Sequence, residues 1–284
     1  MAIDKGIVFV NQFSSRRIRS WHKTLIPLLD RCRLAGCIDR PRILIKPNVV
    51  EAFDPPITTP VGLVAALVDY LRERLPDAEI IIGEGTGSTD YDTFYPFKKL
   101  GYTEMAAKKD VELIDLNVEP LREMSDPNCG RWPEMALPEI LFDSFLISVP
   151  VLKAHSLAGV TLTMKNMMGA APPSRFQQGG SWKKAAFHED IHPAIFDLNQ
   201  YRTPDFTILD ATKGMAEAHL WGPTCSPPPN ILAAGFDPVA IDSYGAGLLK
   251  KRWDSIGHIK MAHGVLGQAE PLTVIDVSVD EKNE

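Results

Sequence analysis

Short runs rich in β-branched and other apolar residues alternate along this chain with longer stretches of helical period. That alternation limits the fold more than any other feature of the sequence. The strand-like runs fall at 7–13, 42–49, 79–82, 111–114, 141–149, 206–209, 230–234 and 273–279. Helical patterns occupy 18–34, 60–75, 93–100, 157–168, 191–199 and 238–252. Strands interleaved with helices predict an α/β fold, a mostly parallel twisted sheet with helices on both faces. The runs 145–149 and 206–209 are almost wholly apolar, as strands covered on both faces should be. Thr59-Pro60 and Asp237-Pro238 each place a capping side chain before a proline at the first helical position.

Composition narrows the function classes. With 284 residues, 45% hydrophobic and 23% charged, the chain suits a single α/β domain over 1–284 and not a disordered or coiled-coil protein. The formal charge of −6 lacks the basic footprint of a nucleic-acid binder. The longest apolar run, 61–68, falls well short of the roughly 20 residues that span a bilayer, so no membrane association is expected. The opening residues show no signal-peptide pattern. Cys32, Cys37, Cys129 and Cys225 form no Cys-x-x-Cys, so neither a disulfide framework nor an intrinsic iron–sulfur cluster is expected, and the setting is a reducing cytoplasm. The 23 prolines exceed the usual share of about 5%. Many of them mark a long irregular connection around 117–140 and a second segment, 169–187, that reads as a lid or a plain surface loop.

In doubly wound folds ligands bind beyond the carboxyl ends of the strands, and the groups that follow these strands are chemically rich. Lys46 ends a covered strand and must find water, an anion or a carboxylate, because burying it unpaired is costly. Asn48 follows Pro47 and either closes the turn or faces the site. The segment 83–88 carries Gly83, Glu84 and Gly85 and could offer backbone N–H groups to an anion, though it is no Walker loop. Lys153 and His155 follow the next strand, and Asp210 and Asp237 two others. All six charged groups, Lys46, Glu84, Lys153, His155, Asp210 and Asp237, are expected on one sheet edge, with Asp237 also an N-cap.

The densest cluster is His155, Lys165, Asn166, His188 and His192. Val160, Leu162, Met164 and Met167 surround Lys165, which predicts a semi-buried ammonium of lowered pKa suited to proton transfer. His188 and His192 are four apart and could share a proton or hold a divalent metal with His155, although Pro193 pushes His192 out of helical geometry. Arg175 is a candidate anion contact on the 169–187 segment. Asp242 needs a partner in its apolar surroundings. Lys183-Lys184 reads as solvated charge, and His22, His219, His258 and His263 have no visible partner.

Taken together, Ile-Lys-Pro-Asn-Val at 45–49, Thr-Thr-Pro at 58–60, Gly83-Glu84-Gly85, the stretches 149–155 and 161–166, and 237–242 resemble the domain-of-unknown-function 362 family in order along nearly the whole chain. Some members of that family carry ferredoxin modules with cysteine-rich cluster motifs, which this chain lacks. More distantly, the chain is similar to the nickel-pincer lactate racemases, α/β enzymes that use histidine and lysine. In those enzymes a metal-contacting lysine follows a histidine by a comparable interval; here 165 − 155 = 10. His188 stands where another racemase histidine falls.

The leading expectation is an enzyme acting on a small anionic substrate, a carboxylate or phosphate, by racemase-like or metal-assisted proton transfer. Lys46, Asn48, Gly83, Glu84, Gly85 and Arg175 would bind the ligand, and Lys153, His155, Lys165 and His188 would carry the chemistry. The alternative is a non-catalytic metal- or cofactor-binding module serving a ferredoxin-like redox partner. A homo-oligomer is compatible with either.

Overall fold

In a computed structural model, the protein is described over residues 5–13 and 21–278. The first residues of the expected 18–34 helix and the last of the 273–279 strand lie outside the described residues. The strands are β1 (Ile7–Gln12), β2 (Arg42–Pro47), β3 (Glu79–Glu84), β4 (Glu112–Asp115), β5 (Leu121–Ser125), β6 (Glu134–Pro138), β7 (Phe145–Val149), β8 (Val151–His155), β9 (Gly159–Thr161), β10 (Phe206–Met215), β11 (Ile231–Gly235) and β12 (Thr273–Asp276). The main sheet runs β12-β1-β11-β10-β7-β2-β3-β4, with β8 and β9 attached through β10. Every neighbouring pair on that path is parallel except the two that β11 makes, with β1 and β10.

Side chains alternate across each strand, and the two faces build two cores. Ile43, Ile45, Ile80, Ile82, Ile147 and Ile208 pack on one face beneath the helices Trp21–Arg31, Val61–Arg74 and Tyr102–Lys109. Leu44, Ile81, Leu146, Leu209 and Ala233 pack on the other, beneath Ile191–Tyr201, Pro238–Leu248 and Gly257–Ala262. Burial on both faces is why these strands read as continuous apolar runs.

Several local expectations are corrected. The stretch 157–168 is not one helix: Gly159, left-handed at φ 76°, turns the chain so that β9 folds back on β8, and helix covers only Thr163–Asn166. The 117–140 connection holds the β5–β6 hairpin, whose register pairs Leu121 with Pro138. Thr59 is no N-cap; its hydroxyl donates to Val149 O (2.6 Å) and accepts from Asn48 N (2.8 Å), tying the loop after β2 to β7. Asp237 does cap, accepting from Val239 N (2.9 Å) and Ala240 N (3.0 Å).

The sheet parts at one place. β7 pairs with β2 as far as Pro47 opposite Val149. Pro150 follows, without an N–H to continue a ladder, and β8 then pairs with β10 and β9 instead of β2. A gap opens between the end of β2 and β8.

Candidate active site

A cavity of about 260 Å³ occupies that gap. Asn48 just after β2, Glu84 at the end of β3 with Gly85 after it, and Lys153 and His155 from β8 line it, together with Lys165, His188 and others. Lys46, beside it, is fully buried, its ammonium 2.7 Å from Glu84 Oε1. Glu84 Oε2 also accepts from Val49 N (3.0 Å). Lys46 is thus matched internally and has no charge to offer a ligand.

Two asparagines carry this pair toward the cavity. Asn166 Oδ1 accepts from Asn48 Nδ2 at 2.9 Å and lies 3.5 Å from Lys46 Nζ. Asn48 Oδ1 in turn accepts from Lys153 Nζ (2.7 Å), which donates also to Ile57 O (2.8 Å). Burial, reinforced by Lys165, lowers the Lys153 pKa to about 7. Lys165 is half-buried and has no hydrogen-bond acceptor or ion-pair partner among the described residues. Burial brings its pKa to about 8. Its short helix is held by Asp242, whose two oxygens accept from Thr163 N (2.7 Å) and Met164 N (3.0 Å). That answers the partner question the sequence posed for Asp242.

His155 is fixed in one tautomer. Its Nδ1 accepts from both Leu157 N and Ala158 N at 3.1 Å. The proton of the neutral ring therefore sits on Nε2, which is buried and without a partner among the described residues. Burial first, then the charges of Lys165 and Lys153 and the neighbouring histidines, push the His155 pKa far down. His188, at the end of the turn Ala185–His188, is also lowered, by burial and Lys165.

A family model described as domain of unknown function (DUF362) matches residues 43–247, well over half of the chain. The chain belongs to the DUF362 family. Its fold is similar to that of the lactate racemase apoprotein from Thermoanaerobacterium thermosaccharolyticum, with a TM-score of 0.52 and 12% sequence identity, over 88% of this chain and 57% of that one. The DUF362 chain therefore spans little more than half the length of that neighbour, and at this identity the likeness is one of fold. No curated protein matches the sequence.

Three cavity groups of the DUF362 protein escaped the sequence reading. Lys184, expected in solvent, is buried and donates to Asn117 Oδ1 and Ala171 O, with its pKa lowered to about 7 by burial. Its signal was the apolar stretch Ala185-Ala186-Phe187 that follows it, which a solvated lysine would not introduce. His219 stacks on His155 with ring centroids 4.1 Å apart, and burial with Lys165 and Lys153 lowers its pKa to about 3. Trp182 lines the cavity too, its backbone bridged to Ser88. No local pattern marks His219, because the contact joins a hairpin to a distant loop.

Other expected groups lie elsewhere. Arg175 is exposed and pairs with Glu123 on β5, outside the cavity, because the turn Pro173–Phe176 directs it outward. His192 sits 3.1 Å from His258, Nδ1 to Nδ1, away from His155 and His188. Gly83 faces the core, where a Cβ would meet Ile114 and Leu44 at 3.0 Å. The 83–88 segment spends its N–H groups internally: Gly85 on Glu84, Thr86 on Thr93 and Gly87 on Val50. Asp210 lines a separate cavity with Trp21 and Pro55. Asp237 lies at the opposite sheet edge, bound to Gly6 N before β1, because β11 runs against its neighbours.

A metal held by His155, His188 and His192 does not fit this arrangement. The His155 lone pair is committed to two backbone N–H groups, and among the described residues no three His, Cys, Asp or Glu side chains are placed to hold an ion.

Proposed function

We propose that this DUF362 protein is an enzyme that binds a small carboxylate or phosphate and transfers a proton on it. One observation carries the reading: Lys153, Lys165 and Lys184 converge on a single cavity where, among the described residues, the only lining carboxylate is Glu84, already paired with Lys46. Lysines with pKa values near 7 to 8 are charged enough to bind an anion and neutral enough to accept a proton, the balance that general acid–base work requires.

The roles divide by hydrogen bonding. Lys153 and Lys184 are held by fixed acceptors and suit the anionic group. Lys165 is unheld and suits removal and return of a proton at the neighbouring carbon. The Nε2–H of His155 suits the substrate oxygen on which charge develops, where a preorganised neutral donor stabilises without reorganising. The fold likeness to a lactate racemase apoprotein supports a reaction of this class by analogy of scaffold.

The test is exchange of carbon-bound protons. Incubated in D2O with small 2-hydroxy and 2-oxo acids, the protein should catalyse deuterium incorporation visible by proton NMR. Lys165→Met should abolish it. No exchange in any carboxylate that binds the cavity would refute proton transfer.

A further inference from the structure

The cavity that binds the anion in the reading above has an apolar, aromatic mouth. Trp221, Leu157 and Trp182 are 68%, 58% and 38% exposed, and all three line this one cavity. Large apolar side chains left in water around a single opening mark a binding surface more often than scatter does. They are not isolated from the interior. A row of rings connects them to it: His188 lies 6.4 Å from His155, His155 4.1 Å from His219, and His219 6.1 Å from Trp221, centroid to centroid. Trp182 stands on a further side, its ring so close to Gly87 that a Cβ there would touch it at 3.6 Å.

Charge is arranged the other way. The lysine ammonium groups are buried or half-buried, whereas the mouth residues carry no charge. A ligand filling both parts is anionic at its inner end and apolar at its outer end. Flat rings prefer flat partners, in offset or edge-to-face contact. A cavity of about 260 Å³ holds a small molecule and excludes a folded partner.

We propose that the substrate is a carboxylate bearing an aromatic ring beyond a hydrogen-bearing carbon, an arylalkanoate, for which benzoate and phenyl phosphate serve as non-reacting probes of the two halves of the site. Its anionic group lies against Lys153 and Lys184, the carbon beside it faces Lys165, and its ring lies among Trp221, Trp182 and Leu157. This proposal rests on the anion-binding reading and goes beyond it by naming the outer half of the ligand.

Calorimetric titration of the intact chain at pH 7 with acetate, cyclohexanecarboxylate and benzoate tests it. Benzoate should bind at least about tenfold tighter than acetate, a difference of about 1.4 kcal/mol, with cyclohexanecarboxylate in between. Trp221→Ala should bring benzoate to within about threefold of acetate, since Trp221 is the outermost ring contact. Val265→Ala, exposed but outside the cavity, should leave the ratio unchanged. Equal affinity for acetate and benzoate would overturn the aromatic assignment and leave the anion reading standing. Equal affinity for benzoate and cyclohexanecarboxylate would also overturn it, replacing a ring-specific mouth with a merely apolar one. Failure of all three acids, and of phosphate and phenyl phosphate, to bind would overturn the anion reading itself.

Discussion

The rings of His155 and His219 stack 4.1 Å apart at an interplanar angle of 23°, and both are held neutral by burial and by the lysines beside them. Two cationic rings at that separation would repel, so the stack itself depends on neutrality. The pH response of the site should therefore come from its amines. Anion affinity should be highest below about pH 7 and fall as pH rises through 7 to 8, where Lys153, Lys184 and then Lys165 lose their protons. Titrations with benzoate across pH 5 to 9 check this. A step centred on the ordinary histidine range would show instead that a ring protonates.

Lys165 should be traded for stability. Its folded pKa of about 8 lies below the usual lysine value, so the unfolded chain binds more protons than the folded one between those limits. Stability contributed by this group rises with pH through that window, and the penalty is fully present below it. Replacing Lys165 with Met removes the penalty and should stabilise the protein at pH 7 by about 1 kcal/mol, while reducing proton exchange by about 10²-fold or more. Urea unfolding at pH 7 and pH 10 measures both the gain and its disappearance at high pH.

Glu84→Ala should be severely destabilising, by about 3–5 kcal/mol, because it strands the fully buried Lys46 ammonium. Adding Lys46→Met should recover much of that loss, since the uncompensated charge is then gone. A double variant no more stable than Glu84→Ala would mean the damage comes from the hydrogen bonds Glu84 accepts from Val49 and Gly85.

The 169–187 segment should stay closed over the site in the resting protein. Lys183 N donates to Gly87 O at 2.8 Å, and Gly85 leaves no room for a Cβ beside Gly169 O and Asn117. Gly85→Ala should push these backbones apart. Amide exchange at Lys183, slow in the parent protein, should then accelerate by about tenfold or more, one tenfold step being about 1.4 kcal/mol of lost local protection. Fast exchange already in the parent would identify the segment as a mobile lid.

The strands were legible because burial on both faces leaves an unbroken apolar signature, as at Ile43, Leu44 and Ile45. Lys153, His155 and Glu84 were legible because charge at the end of such a run has few structural uses, and Lys165 because apolar residues surround it on both sides. Direction was not legible: nothing local distinguishes β11 from its parallel neighbours, and one reversed strand moved Asp237 to the other edge. Lys46 showed that a buried lysine announces a need for a partner without saying which, and the partner proved to be Glu84. Lys184 and His219 owe their places to contacts between segments far apart in sequence, which periodicity cannot encode.

The parting of the sheet at Pro150 separates what the fold guarantees from what it leaves open. Asn48, Glu84 and Lys153 stand on or directly beside strands whose register is fixed by both cores. Leu157, Trp182 and Trp221 stand on connections outside the strands. Exchanging or lengthening the connections should therefore retune which molecules are accepted without dismantling the reactive floor. A chain built this way is a ready scaffold for engineering new substrates: libraries confined to the positions of the mouth should yield altered selectivity at little expense in folding.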